Sequence, residues 1–260
     1  MISFLKENEQ HQHPNGGGWV ANTATVDASA FVGSDAQVHG NARVSGNAQV
    51  SGNAQVSGDA RVSGNAWVHG DAWVHGNAQV SGNARVYGNA RVYGNARLSG
   101  NSQVSGNTRV SGNAQVSGNT QVHDVAWVHG NARLSGNTQV SGNAQVHGDA
   151  WVHGNARVSG NARVSGDARV YDHARVNGNA WVLNPLTITG SAHTVSIVSY
   201  TQMAVGCEIH DFAYWLKNYK TVGKENGYTP EHIKEYGEIL NYLVKAAKPY
   251  IKRNKAKGEA

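Results

Sequence analysis

The sequence is poor in the residues that anchor small secreted and zinc-binding domains. It has one cysteine (Cys207), four prolines and three phenylalanines in 260 residues. A single cysteine excludes an intramolecular disulfide and any cysteine-based zinc site, and it favours a reducing compartment. No hydrophobic run is as long as a transmembrane helix, and the apolar start Met1–Leu5 meets Lys6 too early for a signal peptide. We therefore expect a cytoplasmic protein without membrane contacts, and we predict no cofactor.

Lysine is absent from residues 20–183, although the protein has a net charge of +5. That stretch contains 11 arginines and eight aspartates, and nine lysines follow in residues 184–260. Arginine has a planar fork that stacks and binds anions, whereas lysine is a mobile point charge. An arginine-only stretch therefore suggests anion recognition, and duplication of an ancestral repeat explains it equally well.

A six-residue repeat fills most of the chain. From Val20 to Val182 every sixth residue is aliphatic, over 28 consecutive hexads, and Ala42–Asn47 (Ala-Arg-Val-Ser-Gly-Asn) is a typical unit. The first four residues alternate inward and outward as in a half-buried strand, and Gly-Asn suits a sharp corner. A hexapeptide period is typical of a parallel β-helix. Three hexads close one triangular coil, so residues 18 apart stack, and the repeat gives about nine coils.

The hexads resemble the left-handed β-helix family, whose repeat has an aliphatic residue, often a glycine, two variable residues and a small residue. The resemblance covers roughly two thirds of the chain, with glycine one place later than usual. Gly16–Val20 and Gly206–His210 resemble hexapeptide-repeat proteins of bacteriophages and prophages. The resemblance implies an all-β repeat, a single-stranded left-handed parallel β-helix related in fold to hexapeptide acyltransferases. It also implies a homotrimer, in the cytoplasm of a bacterial host if a phage encodes it.

We predict four segments. Residues 1–18 are flexible, 19–185 form the β-helix, 186–207 form terminal strands that continue the last coils, and 208–260 form a short α-helical cap with a basic tail. We expect the helices to cap the coil, because a stack of coils leaves the backbone groups of its last strands unpaired.

The period of 18 sorts the outward positions onto three faces, one aromatic and histidine-rich, one Arg-Ser and one Gln-Ser. Exposed aromatic rings beside arginine either stack on a base and hold a phosphate or form a subunit interface. The candidate ligand-binding residues are Arg43, Arg61, Arg85, Arg91, Arg157, Arg163, Arg169, Tyr87 and Tyr93. The candidate interface residues are Trp73, His75, Trp127, His129 and Trp215. We expect Arg157, Arg163, Arg169 and Arg175 on stacked or adjacent strands.

We predict no catalytic residue and no metal site. No loop interrupts residues 20–182, and the stacked His129 and His147 lack a third ligand. In His123-Asp124-Val125, valine replaces the corner asparagine, so we expect a distorted corner.

Three functions remain open. The first is a non-catalytic, phage-type, trimeric scaffold that binds a nucleotide, signalling nucleotides included, or nucleic acid. The second is a purely structural or assembly protein, and the third is a hexapeptide-type acyltransferase.

Overall fold

The hexads form three parallel sheets that wrap around one apolar core. The computed structural model describes residues 9–171, 173–177, 181–182, 187–197, 202–206 and 208–255. Strands 18 residues apart pair in register, as Trp73 with Arg91 and Val74 with Val92. Two of the sheets have nine strands each, which confirms a parallel β-helix of about nine coils.

We name the three sheets by their outward surfaces. Face 1 consists of Gln10–Gln12, Trp19–Ala21, Gln37–Val38, Gln55–Val56, Trp73–Val74, Arg91–Val92, Arg109–Val110, Trp127–Val128, Gln145–Val146, Arg163–Val164 and Trp181–Val182. Face 2 consists of Thr25–Val26, Arg43–Val44, Arg61–Val62, Gln79–Val80, Arg97–Leu98, Gln115–Val116, Arg133–Leu134, Trp151–Val152 and Arg169–Val170. Face 3 consists of Phe31–Val32, Gln49–Val50, Trp67–Val68, Arg85–Val86, Gln103–Val104, Gln121–Val122, Gln139–Val140, Arg157–Val158 and Arg175–Val176.

The core is built from the two inward positions of each hexad. Val104, Val122 and the alanines beside most strands are entirely buried. Removing a valine side chain from water is worth about 1.5–3 kcal/mol. The same contribution recurs in every hexad, so the stack needs no other core.

Most corners between Gly40 and Gly166 are made by a glycine in the left-handed region, followed by an asparagine or aspartate. Gly112 has φ +68°, and the Asn101 amide donates to the Asn119 side-chain oxygen at 2.9 Å. Asp124 takes the glycine position with φ 65°, and its carboxylate accepts the Gly142 N–H at 2.8 Å. The Val125 N–H still donates to the coil below at 3.0 Å. The expected distortion is therefore wrong, because the left-handed residue is the one before the valine.

The N-terminal segment differs from the predicted flexible one where it is described. Gln10–Gln12 pairs antiparallel with Trp19–Ala21, and the Gly18 N–H donates to the Val32 carbonyl at 2.8 Å. These bonds satisfy edge carbonyls of the first coil that no preceding coil covers. Residues 1–8 lie outside the described residues.

The terminal strands also differ from the prediction, since they do not continue the coils. Thr187–Thr189, Thr194–Ile197, Gln202–Val205 and Glu208–Asp211 form a separate antiparallel sheet. Strands that lack the hexad period cannot stack in register on a parallel coil, so they pair as hairpins instead. Cys207 and residues 256–260 lie outside the described residues.

Two helices pack against this terminal sheet. Helix α1 spans Phe212–Glu225 and helix α2 spans Pro230–Lys255. The Thr229 hydroxyl accepts the His232 N–H at 3.3 Å, which is the N-cap that the sequence predicts for α2. The Trp215 indole donates to the Met203 carbonyl at 2.8 Å inside the second core. Neither helix, in the part described, combines the length and the apolar character that a membrane crossing requires.

Candidate ligand-binding faces

Arginine side chains lie over tryptophan rings of the neighbouring coil. The Arg91 Cζ is 5.2 Å from the Trp73 ring centre, and the Arg109 Cζ is 5.0 Å from that of Trp127. The Arg85 Cζ lies 5.2 Å from the Trp67 ring centre in the same way. Each such cation–π contact stabilises the stack by about 0.5–1 kcal/mol at an exposed site. The tryptophan rings therefore already have arginine partners on neighbouring coils of the same chain, without a ligand or a second subunit.

Histidine and tyrosine rings form a second row of stacks, two residues after the first. His75 and Tyr93 lie 5.1 Å apart with planes 2° from parallel. His129 and His147 lie 4.8 Å apart with planes 5° from parallel. The rings are stacked along the coil axis, and each ring lies on the coil next to that of its partner. A ring whose neighbouring coil carries serine thus keeps one open face.

The predicted ligand-binding arginines fall on all three faces. Arg43 pairs in register with Arg61 on face 2. The predicted group Arg157, Arg163, Arg169 and Arg175 is not one row, since it is divided among faces 3, 1, 2 and 3. The reason is that consecutive hexads occupy different faces, and only residues 18 apart stack.

Three pairs of arginines stand directly beside each other on neighbouring strands. They are Arg43 with Arg61, Arg91 with Arg109, and Arg157 with Arg175. Arg109, which completes one of these pairs, was missing from the sequence-based candidates although the period of 18 already places it. Arg175 was expected only as a member of the arginine row and not as a ligand-binding residue.

None of these arginines forms an ion pair within the residues described. The ion pairs found there are His123 with Asp124 and His210 with Glu208. The aspartates of the coil lie at corners, where Asp71 for example accepts the Asn53 amide at 2.9 Å. Like charges directly opposite on paired strands are destabilising. Each arginine pair therefore places two like charges side by side, and no carboxylate of the described residues pairs with either of them.

The candidate interface residues share a row with one of these pairs. Trp73 is 41% exposed, Trp127, His75 and His129 are half-buried, and Arg91 lies between Trp73 and Trp127 along face 1. A face that is buried between subunits is closed to ligand, so the two predicted roles exclude each other on face 1. Trp215 is 2% exposed, and its indole has no surface to offer a partner.

The described residues contain no cluster of three or more histidine, cysteine, aspartate or glutamate side chains. His123 and Asp124 form an exposed pair, with 3.2 Å between the His123 Nδ1 and an Asp124 carboxylate oxygen. The backbone N–H of Gly142, followed by His123, lowers the pKa of the Asp124 carboxyl.

The stacked histidines of face 1 are expected to make the stability of the coil depend on pH. Burial lowers the pKa of His129 below its ordinary value of 6.5. Burial, then the charges of His129 and Arg163, lowers the pKa of His147. The unfolded chain therefore takes up protons first as the pH falls, so these rings contribute stability above pH 6.5 that is lost as the pH falls through their folded pKa.

We expect the melting temperature of the wild type to fall as the pH is lowered from about 8 to about 5. The double variant His129→Ser with His147→Ser is expected to lose less over the same range. Serine occupies the equivalent positions at Ser111 and Ser165, so the variant fits the repeat. Thermal denaturation followed by circular dichroism measures both slopes, and equal slopes would show that the stacked pair does not titrate on unfolding.

Comparison with known proteins agrees with this architecture. Residues 30–139, less than half of the chain, match the family described as Bactofilin, polymer-forming cytoskeletal. Residues 138–154, 156–170 and 168–184 match the YdcK β-solenoid repeat. The chain has no significant match among curated proteins.

Two solved structures are similar in fold. The UDP-N-acetylglucosamine acyltransferase of Francisella novicida is 15% identical with a TM-score of 0.56, over 92% of this chain and 87% of that one. LpxA of Acinetobacter baumannii is 12% identical with a TM-score of 0.54, over 90% of this chain and 89% of that one. At these identities the likeness concerns the fold and not the activity. The chain therefore folds as a left-handed β-helix built from hexapeptide repeats.

Proposed function

We propose that the protein is a rigid, non-catalytic scaffold that binds an anionic ligand at its in-register arginine pairs. The observation that carries the proposal is the presence of three such pairs without a carboxylate partner in the described residues. A nucleotide or a nucleic acid has the phosphate groups that suit them. The phage type of the protein stays a prediction from the resemblance.

The energetics of the pairs support this function. Arg43 and Arg61 are exposed and in register, so their side chains leave the sheet about one strand spacing of 4.8 Å apart. Their neighbours Ser45 and Ser63 are neutral and cannot cancel the charge. An oxyanion between the two guanidinium groups accepts bidentate hydrogen bonds from both and removes the repulsion. The rigid coil fixes the pair before binding, which reduces the entropic cost of association.

The proposal predicts one bound oxyanion for each pair. In titration calorimetry with inorganic tripolyphosphate, Arg43→Gln with Arg61→Gln is expected to lose one of three sites per chain. Glutamine occupies the same strand position at Gln79 and Gln115, so the fold is retained. Each lost charge-assisted hydrogen bond is worth about 1.5–3 kcal/mol, which takes that site out of the measured range.

A matched control removes the same charge from the same face. Arg97 and Arg133 are separated by Gln115 in the face 2 ladder and form no in-register pair. Arg97→Gln with Arg133→Gln is expected to keep the stoichiometry and to lower the affinity only through net charge, an effect that fades from about 50 mM to about 200 mM salt. Equal losses in the two double variants would contradict specific sites.

We further propose that the scaffold is a homotrimer, with three times the 27.6 kDa mass of one chain. Face 1 is an unfavourable contact surface, because a subunit contact there covers Arg91 and Arg109, which have no carboxylate partner in the described residues. The helices carry the exposed apolar side chains Tyr214, Leu216 and Tyr242, which suit subunit contacts. Light scattering at micromolar protein tests the mass, and a monomer would rule the trimer out.

The second candidate is a purely structural protein that polymerises. It is favoured by the match of residues 30–139 to a family described as polymer-forming and cytoskeletal. A titration of tripolyphosphate that gives no heat, together with polymers in the electron microscope, would put this function first. The acyltransferase alternative rests on likeness in fold alone, and binding of coenzyme A is its test.

A further inference from the structure

The row of rings on face 1 is interrupted at Ser111. One coil before it, Tyr93 stacks on His75, and one coil after it, His129 stacks on His147. The Tyr93 and His129 strands neighbour the Ser111 strand on either side. A serine therefore occupies the one level between two ring stacks, and the inner faces of Tyr93 and His129 border the gap. We call this gap the Ser111 slot.

The slot has the height of one planar ring. Tyr93 and His129 are two strands apart, about 9.6 Å by strand spacing. A ring midway between them lies about 4.8 Å from each, which is the spacing of His129 from His147 in the structure, 4.8 Å. An inserted aromatic ring thus joins the two stacks into one. Each base stacked on an aromatic side chain contributes about 1–3 kcal/mol.

An arginine pair stands beside the slot. Arg109 precedes Ser111 by two residues on the same strand, and Arg91 bears the same relation to Tyr93. Residues i and i+2 of a strand point to the same side, about 6.6 Å apart. A ring in the slot is therefore separated from the arginine pair by roughly the length of a ribose. The two guanidinium groups are held by Trp73 and Trp127, which orients them before a ligand arrives.

We propose that face 1 binds a nucleoside monophosphate, with the base in the Ser111 slot between Tyr93 and His129 and the phosphate on Arg91 and Arg109. This assignment rests on the anion-binding function and specifies the ligand of one arginine pair. The base contributes stacking and the Ser111 hydroxyl a hydrogen bond at its edge. The phosphate neutralises the two in-register guanidinium charges.

The chain contains a second gap that serves as an internal control. Ser57 lies between the His39 and His75 strands on the same face, so it also separates two rings by one level. Its strand begins with Gln55, and no arginine stands at the level of either ring. The Ser57 slot has the rings without the charges, and it is not expected to hold a nucleotide.

The test is titration calorimetry with adenosine monophosphate and, separately, with pyrophosphate. Ser111→Tyr fills the slot with a ring that the repeat already uses at Tyr93, and Ser57→Tyr fills the control slot. We expect Ser111→Tyr to weaken binding of adenosine monophosphate by tenfold or more, which is about 1.4 kcal/mol, while its binding of pyrophosphate is unchanged. Ser57→Tyr is expected to leave both affinities unchanged. Arg91→Gln with Arg109→Gln is expected to reduce binding of the nucleotide to what a phosphate alone gains at the two remaining pairs, and to remove one pyrophosphate site.

Each other outcome overturns a specific part of the account. If Ser111→Tyr binds adenosine monophosphate like the wild type while the arginine variant does not, the slot is wrong and the anion-binding function stands. If the wild type binds pyrophosphate but not the nucleotide, the inference fails alone. If the wild type binds neither, the inference and the anion-binding function fail together. Two double variants test whether face 1 lies between subunits. If Trp73→Gln with Trp127→Gln dissociates a trimer and Trp67→Gln with Trp151→Gln leaves it intact, face 1 is covered by another subunit, which would also overturn the inference.

Discussion

Val122→Asp is expected to prevent the middle of the coil from folding. Val122 is completely buried, and its neighbours along the stack are Val104 and Val140, which offer no hydrogen bond to a carboxylate. Burial of an unpaired charge is among the few changes that cost more than about 4 kcal/mol. Because each coil contacts only its neighbours, the defect also removes the template for the coils on either side.

The matched control changes the preceding residue. Gln121 is exposed on face 3, so Gln121→Asp adds the same charge outside and is expected to shift stability by less than about 0.5 kcal/mol. Chemical denaturation followed by circular dichroism measures both variants. Equal stability of the two variants would contradict the inward assignment of the sixth residue.

Gly112→Ala is expected to destabilise the coil strongly, although it adds only one methyl group. Gly112 has φ +68°, and a Cβ there would lie 2.8 Å from the Gly130 carbonyl oxygen and 2.9 Å from the Gly130 nitrogen. The left-handed backbone alone costs about 1–3 kcal/mol for a residue with a side chain. The clash is with backbone that belongs to the next coil, so it cannot be relieved by a rotamer change.

Gly46→Ala separates the two contributions. Gly46 has φ +65°, but its added Cβ would lie 3.3 Å from the nearest atoms of Gly64, which requires a smaller shift. We expect Gly46→Ala to lower the stability of the coil only by the cost of the left-handed backbone. Gly112→Ala is expected to lower the melting temperature clearly more, because the clash adds to that cost. Identical losses would mean that coil spacing adapts to a methyl group at no cost.

The coil was predictable because its information is local and repeated. One hexad such as Ala42–Asn47 already specifies an inward alanine and valine, an outward arginine and serine, and a corner. The period of 18 then follows from three corners per coil, and it correctly places Trp73 beside Arg91. The structure adds that only the first of the two corner residues takes the left-handed conformation. In Asp124-Val125 that residue is Asp124, so Val125 fits the corner without strain.

The C-terminal part and the roles of the surface side chains were harder to predict. Thr194–Ile197 and Gln202–Val205 have strand composition, but nothing in either strand says whether it joins a parallel coil or an antiparallel sheet. Trp215 has the spacing of an amphipathic helix, and that spacing fits a core and an interface alike. The outward arginines and tryptophans posed the same ambiguity, since a stack within the chain, a ligand site and a subunit contact all use these residue types.

The most direct test of the central claim is to locate bound oxyanions on the coil. Crystals soaked in tungstate, with an anomalous difference map, would show where a tetrahedral anion binds. The account predicts peaks between Arg43 and Arg61, between Arg91 and Arg109, and between Arg157 and Arg175, each within hydrogen-bond distance of both guanidinium groups. Peaks at isolated arginines such as Arg97, or no peaks on the three faces, would contradict it.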